Sequence, residues 1–363
     1  MSDDARVVWT PKMRKRAEPR RSASPAKRIK RDADKAWQEV RKNWLLIEAP
    51  CKAAVKARPK SRGEVTIDMK LTDAAVELLL QKKAPRGPFD PVVLGATRGL
   101  FEYASWANHM DTIDALTNHW LAAGGATLAI EALSQAPKYW WAFDAGMLAV
   151  RLSLTGDDKY FDMDIGPWRL VRAELATLDD KAYAAAREVA ARCFETGDIG
   201  VKSAIAFAFP GETKWVEAAV DACLAHKFGR RPPRCTTPLL ASVSDAKLAA
   251  KIVAVAPWGI EWCPSLVDGV GVEAAPLLIR IFDEMERVPE KRKVLESLAL
   301  IHDAKAADHF ATLADEQALR AVVFDYFEAA PELARASLGP VAEKAGPKSE
   351  AAKLLAHLKT KKH

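Results

Sequence analysis

Between residue 93 and residue 360 one pattern recurs: apolar side chains at helical spacing over segments of ten to eighteen residues, separated by short polar breaks. A chain patterned this way has to bury one stripe of each helix against another helix. The spacing predicts helices over 93–108, 111–123, 127–135, 139–153, 168–177, 180–195, 198–207 and 213–227. After the break FGRRPPRCTTP it predicts others over 237–243, 245–256, 273–286, 290–301, 304–313, 315–329 and 348–360. Asp111, Thr213 and Asp245 stand where N-caps belong, and Gly124, Gly125 and Gly229 stand where helices should stop. Alanine is abundant, which favours helix. In the C-terminal half the segments come in pairs, EAAPLLIRIFDEM before KVLESLALIHD and AADHFATLAD before QALRAVVFDYFEAAP, at about forty-residue spacing. The expected fold class is therefore all-α: a HEAT-like α-solenoid or irregular stacked helix pairs.

The N-terminal region reads differently. Residues 1–31 combine Pro, Ser and charge with little to bury, so a disordered basic tail is expected. A helix capped by Asp32 or Asp34 should follow, with Trp37, Val40, Trp44 and Ile47 on one stripe. Residues 57–63 read as a linker. EVTIDMKL alternates at Val65, Ile67, Met69 and Leu71, which suggests an extended stretch leading into a helix capped by Thr72 or Asp73. The proline-rich stretch 82–91 is the best domain boundary. The expected organisation is a tail (1–31), a helical segment with linker (32–85), and two halves of a helical repeat region (86–230 and 231–363).

Charge sharpens this division. The chain carries 54 Lys and Arg against 48 Asp and Glu, a net +6. Residues 1–62 hold 19 basic and 7 acidic residues, a net +12, so the remainder is −6. Lys12, Arg14, Lys15, Arg16, Arg20, Arg21, Lys27, Arg28, Lys30 and Arg31 lie within twenty residues, opposed only by Glu18. A flexible polycation of this kind binds phosphate backbones by releasing counterions, without sequence specificity. Arg230, Arg231 and Arg234, on a second basic loop, could extend such a path.

Segments from Phe101 to Leu358 resemble the helical repeat region of bacterial WGR-domain, MolR-like proteins. The resemblance rests on HWLAAGGATLAIEAL (119–133), GPWRLVRAEL (166–175), AIAFAFPGETKWVEAAV (204–220), PLLASVSDAKLA, LVDGVGVEAAPLL and AAPELARASLGPVAEKAGPKSEAAKLLAHL. No Trp-Gly-Arg signature is found in the sequence, and the family's C-terminal domain is not expected after residue 360. The resemblance implies a bacterial helical-repeat scaffold and carries over no catalytic residues.

Other signals are sparse. Apolar runs such as GMLAVRLSL stop well short of the ~20 residues a membrane span needs. The five cysteines, Cys51, Cys193, Cys223, Cys235 and Cys263, are odd in number and form no CxxC pair, which fits a reducing cytoplasm and small buried side chains. Asp162 and Asp164 have a DxD spacing beside Asp157 and Asp158, which surface acids before a helix explain. His302 and His309 lie seven apart, and Cys223 and His226 three apart, without belonging to a metal or nucleophile motif. Gly269 and Gly271 lack the third glycine and the strand of a dinucleotide loop. The tryptophans at 140, 141, 168, 215, 258 and 262 read as core anchors, with Trp258 and Trp262 as a candidate exposed platform. The expectation is a non-enzymatic scaffold that binds a protein partner, with the tail adding electrostatic attachment and no cofactor. The alternative is sequence-nonspecific nucleic-acid binding by the tail and a solenoid groove.

Overall fold

The computed structural model describes residues 5–21, 27, 29–42, 48, 68–104, 109–144, 147–152, 165–226 and 234–360. Among them the chain is all-α, with seventeen α-helices and two short two-stranded ladders. It divides into two compact units, Pro19–Gly211 on the one hand and Met1–Glu18 with Glu212–His363 on the other. The 82–91 stretch, with its cis Gly87–Pro88 bond, therefore lies inside the first of these.

The N-terminal segment opens with β1 (Arg6–Val7) and α1 (Pro11–Arg14). The unit from Pro19 to Gly211 then contains α2 (Ala33–Lys42), α3 (Met69–Leu80), α4 (Pro91–Ala104) and α5 (His109–Gln135). Strands β2 (Tyr139–Asp144) and β3 (Met147–Leu152) follow, then α6 (Ile165–Leu175), α7 (Asp180–Thr196) and α8 (Ile199–Ala208). Helix α5 is the hub, packed against α2, α4, α6 and α7. Its buried face is Ile113, Leu116 and Trp120 before the bend, and Ala129, Ile130 and Leu133 after it. The bend falls at Gly125 (φ 72°, ψ −167°), so the expected stop between 123 and 127 is real.

Caps follow short-range chemistry. Asp32 Oδ1 accepts from the Asp34 and Lys35 amides, which selects Asp32 over Asp34 as the cap. Asp179, Asp198 and Asp303 accept from the amides three residues on, and Asp245 from that of Lys247. Three expected helix starts need correction. Helix α3 begins at Met69 with Asp68 as its cap, not at Thr72 or Asp73; Val65 and Ile67 lie outside the described residues. Thr213 is the first residue of its helix rather than the cap, and Asp111 sits inside the first turn of α5.

The expected helix over 139–153 is instead an antiparallel hairpin, paired from Tyr139 with Leu152 to Asp144 with Met147. YWWAFD carries four aromatic rings in six residues, and such residues suit a pleated surface better than a helix. The 3.6-residue reading failed here because a short apolar run has no distinctive period.

The other unit contains α9 (Thr213–Ala225), α10 (Ala246–Val255), α11 (Cys263–Val270), α12 (Ala275–Asp283) and α13 (Val288–Leu298). After β4 (Ile301–His302) come α14 (Ala304–Thr312), α15 (Arg320–Ala329), α16 (Pro331–Ala345) and α17 (Glu350–Thr360). Helix α12 packs on α13, α14 on α16, and α16 on α17. Of residues 237–243, expected as a helix, 237–241 belong to a 3₁₀ segment (Arg234–Ala241) that contains Pro238. Helices α11 and α16 have no counterpart among the expected spans. Each opens with a proline in its first turn, a position where the missing N–H costs nothing. No described helix is long and apolar enough to cross a membrane.

Candidate functional site

The basic segment is where sequence and structure part most clearly. Residues 5–21, expected to be disordered, are packed. Arg6 and Val7 pair antiparallel with His302 and Ile301, and the Val8 amide donates to the Leu300 carbonyl at 2.7 Å. Thr10 caps α1 through the Met13 amide, and the Met13 side chain is buried. The Glu18 amide donates to Ser265 Oγ at 2.7 Å. The sequence carries one local hint of this. Val7, Val8 and Trp9 precede the polycation and Met13 lies within it, apolar residues in or beside one strand and one turn of helix, of which Met13 is the buried one.

Most of the arginines are engaged. In the unit that holds residues 1–18, Arg6 pairs with Glu332 at 3.1 Å, Arg14 with Asp268, and Arg16 with Glu296 at 2.5 Å. Lys12 lies 3.9 Å from the same Glu296 carboxylate, and the Arg14 guanidinium stacks on Trp9 at 4.7 Å. In the other unit Arg21 pairs with Asp180 and stacks on Tyr183 at 4.5 Å. Arg31 donates to Glu174 at 2.9 Å and to Asn118. Arg172, 1% exposed, donates from Nε to the Pro19 carbonyl at 2.7 Å and from Nη1 to that of Phe207 at 2.8 Å. The net −6 of residues 63–363 supplies acidic partners for the net +12 of the N-terminal sixth. Apart from the buried Arg31–Glu174 pair, these pairs are partly or largely exposed and contribute about 0–1 kcal/mol each, so it is their number, with the strand pairing, that holds residues 6–21.

Of the remaining candidates, Lys12, Lys15, Lys27 and Lys30 are exposed, and Arg20 is half-buried. Arg234 is exposed at the start of its 3₁₀ segment. Arg28, Arg230 and Arg231 lie outside the described residues, as do Asp157, Asp158, Asp162, Asp164, Cys51, Trp44 and Ile47.

The other candidate chemistry resolves into packing. His302 is buried against the Tyr326 ring and His309 lies edge-on to Phe282, on different elements. Burial pushes both imidazoles below their ordinary pKa; Arg6 reinforces this for His302 and Lys291 for His309. His119, 1% exposed, is likewise lowered by burial, and its Nδ1–H donates to the Ala33 carbonyl at 3.1 Å. Cys223 and Cys235 are buried with their sulfurs 3.6 Å apart, and burial pushes the Cys263 thiol up to about 12. Among the described residues no three His, Cys, Asp or Glu side chains are grouped as a metal ion would require. Trp168 and Trp262 are buried, whereas Trp258 is 50% exposed, so the pair does not make one platform. Gly271 (φ 71°) terminates α11.

No protein-family model matches this chain, and neither does any curated protein or solved structure.

Proposed function

We propose that the chain is a bacterial, cytoplasmic, non-enzymatic scaffold of HEAT-like helix pairs, akin to the repeat region of the MolR-like proteins, and that it binds a protein partner. The observation that carries this reading is the exposure of Trp258 (50%) and Val255 (41%), three residues apart at the end of α10. Exposed tryptophans are the side chains that most often anchor protein interfaces. The test compares wild type with Trp258→Ser: proteins retained from a lysate of the source cells are identified, remade, and titrated by calorimetry. At least one should bind wild type and lose about tenfold or more in affinity with the variant, in line with an anchor worth roughly 2 kcal/mol. If every retained protein binds both forms equally, the reading is wrong.

Nucleic-acid attachment is the second reading. The exposed Lys12, Lys15, Lys27 and Lys30 favour it, while the carboxylate partners of Arg14, Arg16, Arg21 and Arg31 count against a free polycation. Deleting residues 1–31 would also remove β1 and its pairing, so substitution is the cleaner probe. Changing Lys15, Lys27 and Lys30 to Gln should reduce salt-sensitive binding to DNA if the exposed lysines carry it. Unchanged binding would rule them out.

A further inference from the structure

A cleft of about 720 Å³ lies between the N-terminal helix α1 and helix α13, within one unit of the chain. Lys12 and Arg16, four residues apart, line one side. Pro289, Arg292, Lys293 and Glu296 line the other, spaced i, i+3, i+4 and i+7 on α13 and so on a single helical face. Four cations therefore converge on a concave surface that holds one carboxylate. That carboxylate is already committed, to Arg16 at 2.5 Å and to Lys12 at 3.9 Å.

Arg292 and Lys293 are exposed, and among the described residues neither lies within ion-pair distance of a carboxylate. The Arg292 Nη2 group donates to the Ala318 carbonyl at 2.8 Å, which fixes the guanidinium plane while leaving it further N–H groups to offer. Like charges gathered in a cleft repel one another unless an anion with several acceptor oxygens joins them. A phosphate has that form: it carries more charge than a carboxylate and can be gripped by an arginine fork and a lysine ammonium together. Val288, 41% exposed, adds an apolar edge against which a sugar or base could lie.

We infer that this cleft binds phosphate groups, either of a free nucleotide-like polyphosphate or of a nucleic-acid backbone. An incoming phosphate competes with Glu296 for Arg16 and Lys12, so Glu296 sets the affinity by opposing it. The inference is independent of the Trp258 surface: a partner lost with Trp258→Ser and a phosphate lost with cleft variants are separate outcomes.

The experiment titrates tripolyphosphate and a fluorescent oligothymidylate into the full chain at two salt concentrations. The Arg292→Gln/Lys293→Gln variant should weaken whichever probe binds by about tenfold or more. For the oligonucleotide it should reduce the slope of log K against log salt by about 1.4, two contacts at about 0.7 each. Glu296→Gln should tighten binding. Lys214→Gln/Lys247→Gln removes two exposed cations elsewhere in the same unit and should change nothing. Thermal unfolding of each variant verifies that it is folded; the cleft cations are at the surface, so beyond the small loss expected from the Arg292–Ala318 hydrogen bond the midpoint should stay in place. Tripolyphosphate binding marks a free phosphate ligand, and binding of the oligonucleotide alone marks a backbone. The inference is overturned if neither probe binds, if the Arg292/Lys293 variant binds like wild type, if the Lys214/Lys247 control loses as much, or if polyglutamate binds equally well.

Discussion

Arg31 and Glu174 meet at 2.9 Å with side chains only 10% and 8% exposed, at the end of a segment whose composition reads as disordered. Asn118 accepts a second hydrogen bond from the same guanidinium. A buried pair of this kind adds little net stability over a well-packed apolar pair, because both charges lose their hydration. Breaking it is another matter. Glu174→Met alone strands a buried guanidinium and should cost about 3–5 kcal/mol, whereas Arg31→Met with Glu174→Met should cost far less than the sum of Arg31→Met and Glu174→Met measured singly. Urea unfolding of the four proteins gives the coupling directly; additive effects would mean that the pair does not form in solution.

Docking of the N-terminus makes a separate prediction. The Val8 amide donates to the Leu300 carbonyl, and β1 pairs with β4. Amide exchange over residues 6–8 should therefore be markedly slower than in an unstructured peptide of the same sequence, and the amides of β4 (Ile301–His302) should lose protection when residues 1–9 are removed, whereas the Leu300 amide, which donates to the Ser297 carbonyl, should keep its own. Exchange of residues 6–8 at the unstructured rate would show that this segment is not held.

The helices and the N-terminus differ in how local their causes are. Helices such as Asp180–Thr196 and Ala304–Thr312 could be read from the chain because apolar spacing and an aspartate cap, Asp179 or Asp303, lie within a few residues of what they determine. The docking of the basic segment could not. Its arginines find Asp180, Glu174, Asp268 and Glu296 at separations of 143 to 280 residues, and charge composition carries no record of which acid meets which base. The apolar Val7, Val8, Trp9 and Met13 were the only local hint. The hairpin at 139–152 was lost for a different reason, since a continuous aromatic and aliphatic run satisfies helix and strand periods alike. The phosphate cleft combines both cases: Arg292 and Lys293 are visible as a charged helical face, but their convergence with Lys12 and Arg16 is purely tertiary.

Three histidines should make stability fall on mild acidification. Burial lowers His119, His302 and His309 below their ordinary value of 6.5, against the opposing pull of Asp34, of Glu332, and of Asp283 and Glu316 respectively. The unfolded chain takes up these protons as pH drops through about 6.5, while the folded chain resists until lower pH. Between those points the unfolded state binds more protons, so stability falls with falling pH and is unaffected well above 6.5. Urea midpoints measured from about pH 7.5 down to about pH 5.5 should decline, and replacing all three histidines by Phe should flatten that decline. An equally steep decline in the triple variant would assign it to other groups.

Two glycines, one legible in the sequence and one not, give opposite reasons for intolerance to alanine. A Cβ on Gly125 would meet nothing within 4 Å, yet its backbone sits at φ 72° and ψ −167°, a region essentially reserved for glycine. Gly125→Ala should therefore cost about 1–3 kcal/mol through backbone strain alone. Gly125→Asn should give no relief, because asparagine tolerates the left-handed helical region but not this one. Gly95 has no positive φ. Its Cβ would lie 2.9 Å from the Ala132 carbonyl oxygen and 3.0 Å from the Ala136 amide nitrogen, so Gly95→Ala should force α4 away from the end of α5 at a cost of about 1–3 kcal/mol. Chemical denaturation measures both costs, and pairing Gly95→Ala with a smaller neighbour separates them. Gln135→Gly removes the Cβ that lies 2.9 Å from the new methyl and should recover part of the Gly95→Ala loss while leaving the Gly125→Ala loss intact. Rescue of Gly125→Ala by Gln135→Gly would show that packing, rather than backbone conformation, governs the bend in α5.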